Sequence, residues 1–298
     1  MHTSLLLFVA TALPLCEALR LMPPQNSLRV KSPIMQGGAA TVTVIGGSGF
    51  VGSRVCERLV AAGCAVTSVS KSGKVPEWCA GEAWSQSVSW RSNNLVRGPR
   101  EDLEKAIGKP DAIVSCVGSI GFDTQGLLLG NGKANEEVAK AAKKAGVKRF
   151  VYVSVSEEVA EAASDILPGY FTGKSIAEQA ILDAVGPSGA YFIKPSFIYG
   201  GDGFGVFPPR VSTQYGAGVE GLLSNNAIQK VADVLPGFAG LLKVALRPPV
   251  SVHAVAACCV RAALGLIEPG TFEGTANINL AADLPQPEAK LEEGANVG

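Results

Sequence analysis

Histidine is scarce in this chain: His2 and His253 are the two among 298 residues. No Cys-x-x-Cys pair accompanies a histidine cluster, so the ligand supply argues against a zinc site. Charge is thin as well. Asp, Glu, Lys and Arg make up 17% of the residues, and 26 basic side chains balance 26 acidic ones. A chain with zero formal charge and no basic run lacks the electrostatic footprint of a nucleic-acid binder. The apolar run at the N-terminus, Leu5 to Leu13, is too short to span a bilayer.

Hydrophobic residues, at 47%, are plentiful enough for a sizeable core, in one large α/β domain or two smaller ones. Seven cysteines (Cys16, Cys56, Cys64, Cys79, Cys116, Cys258 and Cys259) show no metal or disulfide spacing. Most read as small buried hydrophobes in a reducing compartment.

The first forty residues read as a presequence rather than as part of the fold. Leu5 to Leu13 form a short apolar region, and Cys16-Glu17-Ala18 offers small residues for cleavage. From Leu19 to Ala40 the chain carries Arg20, Arg29 and Lys31, several Ser, Pro and Gln residues, and no acid. That is transit-peptide composition. A signal peptide followed by a transit-like segment resembles the bipartite presequences of algae with complex plastids. A plastid stroma, or a thylakoid-associated position, is therefore the expected location, with the mitochondrion or the secretory pathway as alternatives. Without these residues the domain carries a charge of about −2, still with no binding bias.

The most informative stretch is Val42-Thr-Val-Ile-Gly46-Gly47-Ser48-Gly49-Phe50-Val51-Gly52. A β-branched run ends in glycines spaced G-x-x-G-x-x-G, and a helical pattern follows at once. Gly46 allows the tight turn, Gly49 lets the backbone approach a pyrophosphate, and Gly52 lets the helix pack closely on the sheet. Phosphates sit well at such a helix N-terminus, where free N–H groups favour negative charge.

After this turn the pattern alternates. Ala65–Val69, Val88–Arg91, Asp111–Val117, Arg149–Ser154 and Ala190–Lys194 read as further strands. Asn131–Ala145 and Ser175–Val185 read as helices between them. This predicts an α/β fold, a Rossmann-type doubly wound parallel sheet with right-handed crossovers. From about Tyr199 the regularity fails. Ala227–Val234 and Phe238–Leu246 look like apolar helices, Val250–Val252 a short strand and His253–Leu266 a helix. Together they suggest a small C-terminal substrate lobe. Residues 281–298 read as a flexible tail.

Tyr170-Phe-Thr-Gly-Lys174 supplies the chemistry, at the start of the helix predicted over Ser175–Val185. Residues four apart share a helix face, so phenol and ammonium can point into one site. A nearby ammonium stabilises phenolate and lowers its pKa from about 10 toward a proton-transfer catalyst's range. The bland alternative is a solvated lysine beside a packing aromatic.

Four segments carry a resemblance: Gly46-x-x-Gly49-x-x-Gly52, Ala145 to Ser154, Tyr170-x-x-x-Lys174 and Lys194-Pro-Ser-Phe-Ile-Tyr-Gly200. Their order over residues 41–275 resembles the short-chain dehydrogenase/reductase superfamily, in its extended and atypical branches. Within those the chain is similar to the NmrA-like group. That group includes the NADPH-binding accessory subunit of respiratory complex I, a coenzyme Q-synthesis protein, and plant plastid relatives associated with plastoglobules. Val69 to Pro76 and Arg247 to Val252 carry this narrower likeness.

The resemblance implies roles. Tyr170 is the general acid/base, and Lys174 binds the nicotinamide ribose and lowers the phenol's pKa. Ser154 or Ser156 polarises the substrate carbonyl, and strand alternation would set both on one face. Gly46, Gly47, Ser48, Gly49, Phe50, Val51 and Gly52 cradle the cofactor's phosphates. Cys116, Val117 and Gly118 lie beside the cofactor, and Pro195, Phe197 and Ile198 near its nicotinamide. Where many members have an Asp after the third strand, this chain has Asn93-Asn94-Leu95.

The end of the second strand has no Asp or Glu to hold a ribose 2′-hydroxyl. Ser70, Lys71 and Ser72 stand there, with Lys74 beyond, which favours a 2′-phosphate and hence NADP(H) over the alternative NAD(H). Arg54 is a further phosphate candidate, and His253 reads as a packing or capping residue. The expected function is an NADP-dependent reductase or dehydrogenase acting on a lipophilic carbonyl or quinone-like molecule. The alternative is a non-catalytic NADPH-binding assembly factor or accessory subunit. Peripheral association with a plastid membrane or plastoglobule goes with either.

Overall fold

A computed structural model describes residues 39–283, except 122, 202–204, 207–208, 211–212, 225–227, 231–232 and 234–243. The expected presequence, most of the two apolar helices expected within 227–246, and nearly all of the expected tail lie outside the described residues.

Strand β1 (Thr41–Ile45) leads through the glycine turn into α1 (Phe50–Ala61), then β2 (Ala65–Ser70) and β3 (Val88–Ser92). Helix α2 (Arg100–Ile107) and β4 (Ala112–Ser115) follow. A short helical turn (Thr124–Leu127) and a π-helical turn (Leu128–Lys133) come before α3 (Ala134–Ala145) and β5 (Arg149–Val153). Next are α4 (Glu157–Ala163), α5 (Pro168–Val185), β6 (Ala190–Lys194) and the two-residue β7 (Ile198–Tyr199). After α6 (Thr213–Leu223) come β8 (Val250–Ser251), α7 (Val252–Ala263), β9 (Gly270–Glu273) and α8 (Gly274–Asp283).

Seven strands form one parallel sheet in the order β9-β6-β5-β4-β1-β2-β3. Strands β4 and β6 are buried at every position, as strands covered on both faces must be. The chain order reverses between β1 and β4. In open α/β sheets the ligand crevice forms at that switch point, outside the carboxyl ends of the strands.

Two hydrophobic layers hold the sheet. One packs α1 and α7 over Val42, Val44, Val114, Val151 and Ile193, and takes in Cys56, Cys258 and Cys259. The other packs α2, α3 and α5 over Ile45, Ile113, Phe150 and Tyr152. Each fully buried Val, Leu, Ile or Phe contributes about 1.5–3 kcal/mol relative to exposure. The six described cysteines are free thiols, four of them buried. Helix α3 gains surface support from ion pairs of Glu136 and Glu137 with Lys133 and Lys140, and ends at the left-handed Gly146 (φ 72°).

Three differences from the sequence reading stand out. Helix α5 starts seven residues before Ser175, at Pro168, because proline suits a first helical position. Strand β9 adds a seventh strand beside β6. The helix expected over His253–Leu266 is α7, and it packs against α1 in the main layer rather than in a separate lobe. Among the described residues no helix is long and apolar enough to cross a membrane.

Candidate active site

The glycine turn is a tight piece of backbone. Gly46 has φ 81° and donates its N–H to Val69 O at 2.7 Å. A Cβ on Gly52 would stand 2.2 Å from Gly46 O, and one on Gly47 would stand 2.3 Å from Ser68 Oγ. These positions accept glycine only, and the first N–H groups of α1, above them, have no acceptor one turn back within the helix. Gly49 begins the helix with no side-chain cap and there is no acid in the first turn. Backbone donors with no competing carboxylate suit a pyrophosphate.

Beside the turn a cleft of about 540 Å³ runs past Gly46, Ser70, Lys71, Asn93, Val117 and Gly118. Two buried polar atoms in its lining, Asn93 Oδ1 and Ser119 Oγ, have no hydrogen-bond partner among the described residues. Unpartnered buried acceptors cost about 1–3 kcal/mol each, so a ligand that donates to them is well received here. Glycines a side chain would block, a helix N-terminus with no acid in its first turn, and two buried polar atoms without a partner among the described residues together fit a dinucleotide.

Five of the expected cofactor residues, Gly46, Ser70, Lys71, Val117 and Gly118, line this cleft. Phe50 and Val51 offer their backbone while their side chains turn away, Phe50 toward Gly200 and Val51 into the core. Ser48 Oγ bonds Ser70 Oγ at 2.9 Å and Lys74 O at 2.6 Å, and Ser70 Oγ accepts from Gly73 N. These hydroxyls shape the turn after β2. Ser72 accepts from Lys74 N within that turn and stays outside the cleft, whereas exposed Lys71 lines it. Arg97, which the sequence reading passed over, lines it too. Val117 and Gly118 form the wall nearest Gly46, while Cys116 turns toward the core, its thiol pushed up to about 12 by burial. It is no nucleophile at neutral pH.

Lys174 is 5% exposed and donates from Nζ to Val153 O at 2.9 Å. A Cβ on Gly118 would come within 3.4 Å of that Nζ, so the ammonium reaches the cleft wall past a missing side chain. Its Nζ lies 4.7 Å from the Tyr152 ring centroid and 5.7 Å from that of Tyr170. Burial lowers the Lys174 ammonium to about 8 and raises the Tyr170 phenol to about 12. The expectation that Lys174 would depress the phenol is corrected: desolvation dominates both groups. Tyr170 is a neutral phenol at physiological pH, half-buried, with its ring edge-on to Phe171.

The two serines part company, because β5 ends at Val153 and strand alternation does not extend to them. Ser154 donates to Glu178 Oε1 at 2.5 Å, and Glu178 Oε2 meets Lys194 Nζ at 2.9 Å. Ser156 caps α4 by accepting from Val159 N at 3.3 Å. Among the described residues its O–H hydrogen has no acceptor.

Pro195 accepts from Ser156 N, Ile198 pairs with Val250, and Phe197 is 52% exposed. These three stand on the β6 side, outside the lining of the cleft. Arg54 stacks on Trp78, 3.9 Å from its ring centroid, and over Phe50. Ser251, not His253, caps α7; His253 is exposed and held toward its neutral form by partial burial and by Arg58 and Arg54.

Sequence reasoning missed Asn131 and Asn135. Asn131 accepts from Ser119 N and donates to Ser119 O and Leu127 O; Asn135 donates to Val117 O and accepts from Ser115 Oγ. They pin the loop after β4 that walls the cleft, Asn131 from a π-turn, a distortion that recurs at functional sites, and Asn135 from the first turn of α3. Their spacing of four on one helix face was the available signal. Glycines let α5 come in close: a Cβ on Gly169 would meet Thr124 O at 2.3 Å, and one on Gly173 would meet Asn131 Cβ at 2.9 Å.

A parallel sheet with its switch-point cleft, glycine turn and buried lysine defines a Rossmann-type dinucleotide-binding protein. The chain belongs to the NAD dependent epimerase/dehydratase family, whose model matches residues 42–191. This lies within the short-chain dehydrogenase/reductase superfamily that the motifs resembled.

An uncharacterized chloroplastic protein of Arabidopsis thaliana is 35% identical over 160 residues, 53% of this chain and 51% of the relative. A 4-hydroxy-2-methyl-3-oxo-4-farnesyl-3,4-dihydroquinoline-1-oxide ketoreductase of Stigmatella aurantiaca is 28% identical over 186 residues, 56% of this chain and 53% of the relative. The chain thus spans about half the length of these curated relatives. In fold it is similar to the Bordetella bronchiseptica enzyme WbmH in complex with NAD+. The TM-score is 0.54, at 17% identity, over 80% of this chain and 76% of the other.

Proposed function

We propose that the protein is an NADP(H)-dependent reductase of a lipophilic carbonyl or quinone-like substrate, working in a plastid. The observation that carries this reading is the buried Lys174 set between the cofactor cleft and Tyr170. A bound nicotinamide supplies hydride chemistry in the cleft. Tyr170, protonated up to about pH 12, is poised to deliver a proton to the carbonyl oxygen as that oxygen gains charge. Ser156 donates its free O–H hydrogen to the same oxygen, since the hydroxyl of Ser154 is committed to Glu178. Lys174 keeps its ammonium at the wall, where ribose hydroxyls would lie.

Apolar rim residues support a lipophilic substrate. Ile120, Ile166 and Phe197 are 44%, 59% and 52% exposed and sit in connections beyond the carboxyl ends of β4, β5 and β6. The farnesyl group in the name of the Stigmatella aurantiaca relative points the same way. An oily rim also suits peripheral contact with a plastid membrane or plastoglobule.

Lys71 and Arg97, two cations at the adenosine end of the cleft, support NADP(H). One charge-assisted contact to a 2′-phosphate contributes about 1.5–3 kcal/mol, roughly 10- to 100-fold in affinity. Titrating NADPH and NADH against wild type and Lys71→Ala checks this. NADPH is expected to bind more tightly in wild type and to lose most of that margin in the variant; equal wild-type affinities would sink the preference.

The plastid location draws on the acid-free segment from Leu19 to Ala40 and on the chloroplastic Arabidopsis relative. A fluorescent fusion should enter plastids, and N-terminal sequencing of native protein should begin between about Leu19 and Thr41. An intact Met1 on a cytosolic protein would overturn the location.

A further inference from the structure

No residue of helix α4 (Glu157–Ala163) is fully buried. The other helices around the sheet bury apolar side chains, whereas α4 is only half-buried and is tied down by polar contacts at its first turn. Ser156 caps it, so wherever α4 starts, the Ser156 hydroxyl is placed too. Glu157 supplies two ties, its N–H donating to Glu273 Oε1 at 2.6 Å and its carboxylate meeting Lys194 Nζ at 3.0 Å. Glu158 supplies the strongest. Its carboxylate takes both arms of the Arg247 fork, Nε at 2.6 Å and Nη2 at 2.9 Å.

Arg247 has other commitments. Its Nη2 also meets Asp233 Oδ1 at 2.8 Å, and its Nη1 donates to Gln229 Oε1 at 2.7 Å. Gln229 in turn donates to Leu246 O at 2.9 Å. One guanidinium therefore ties the first turn of α4 to the segment between α6 and β8, the part of the chain expected to cover the substrate. These carboxylates hold the Arg247 guanidinium firmly charged. Bidentate Arg–carboxylate pairs fix direction as well as distance, which a lysine's single ammonium does not.

We propose that Arg247 and Glu158 are positioning residues, whose two-point ion pair seats α4 and so aims the Ser156 hydroxyl into the site. The pair couples the chain before β8 to the group that holds the substrate oxygen. This inference rests on the role given to Ser156 in the proposed reaction.

The test uses the full chain and two readouts. Hydrogen exchange without cofactor follows the amides of residues 157–163 in wild type, in the isosteric Glu158→Gln, in Arg247→Lys and in the double variant. Exchange over α4 is expected to rise at least tenfold in each single variant while the β1 and β4 amides stay protected. The double variant should rise no further, since either change breaks the same pair. Turnover is then measured with NADPH and farnesylacetone as the probe. Glu158→Gln should lower kcat about tenfold in an otherwise native chain and leave it unchanged in a Ser156→Ala background. Unchanged exchange over α4, a loss confined to KM, or losses that multiply with Ser156→Ala would each overturn the proposal. If the native chain does not turn over the probe, that failure belongs to the proposed reaction, and exchange alone decides the seat of α4.

Discussion

Replacing Lys174 by Met is expected to stabilise the fold while nearly abolishing turnover. Lys174 is buried, and desolvation lowers its folded pKa to about 8 from the ordinary lysine value of 10.5. A shift of that size corresponds to about 3 kcal/mol of unfavourable charge burial. The cost is fully present below the folded value and disappears as pH rises toward the unfolded one, because there the unfolded chain binds more protons than the folded one. The stability gap between Lys174→Met and wild type should therefore close between about pH 8 and 10.

At pH 7 the variant escapes the cost but leaves Val153 O without its donor, worth about 1 kcal/mol. The net gain of about 2 kcal/mol amounts to about 5 °C in melting temperature for a chain of this size. Function moves the other way. Loss of the charged donor proposed to hold the ribose should weaken NADPH by about 10- to 100-fold. Thermal denaturation from pH 6 to 10, without cofactor, checks the sign. A variant that melts lower than wild type at pH 7 would show that the ammonium is a net structural asset.

Tyr170→Phe is expected to separate chemistry from binding. The ring keeps its edge-on contact with Phe171, and the lost hydroxyl has no hydrogen-bond partner among the described residues. Melting temperature and NADPH affinity should stay near wild type. Turnover should fall by about 10²–10⁴, the usual weight of positioned general acid/base catalysis. Because burial keeps the phenol protonated to about pH 12, its own titration should not appear in the working pH range. The expected fall in NADPH affinity above about pH 8 belongs to Lys174. Steady-state rates and fluorescence titration on the two proteins check both halves. If Tyr170→Phe restores function fully in cells lacking the native protein, proton delivery by Tyr170 is refuted and a non-catalytic NADPH-binding role takes its place.

What the sequence made legible was what short-range pattern encodes. The first strand, the glycine turn and α1 follow from spacing that only one backbone path satisfies. Strands β4 and β6 stand out because burial on both faces leaves continuous apolar runs. Strand β9 escaped because the four residues Gly270–Glu273 carry almost no period of their own; pairing with β6 makes them a strand. The first two turns of α5 escaped for a different reason. Pro168, Gly169 and Gly173 look like helix breakers, yet the proline starts the helix and the glycines let it meet Thr124 and Asn131.

Site geometry was legible as membership but less so as state. Tyr170 and Lys174 do come together, but burial acts on each more strongly than either acts on the other. The partition of Ser154 and Ser156 depends on Glu178 and Val159, contacts that no spacing rule announces. Arg247 lies 89 residues from Glu158 and acquires its role only when the chain folds.

The central claim is hydride transfer to a lipophilic carbonyl with Tyr170 as proton donor, and isotopic transfer tests it most directly. The full chain is incubated with farnesylacetone and NADPH carrying deuterium at the transferable nicotinamide position, and the product is read by mass spectrometry. The predicted result is one deuterium on the carbinol carbon, at a rate lowered at least 100-fold in Tyr170→Phe. The contradicting result is NADPH that binds while no deuterium reaches farnesylacetone or any of a panel of isoprenoid carbonyls and quinones.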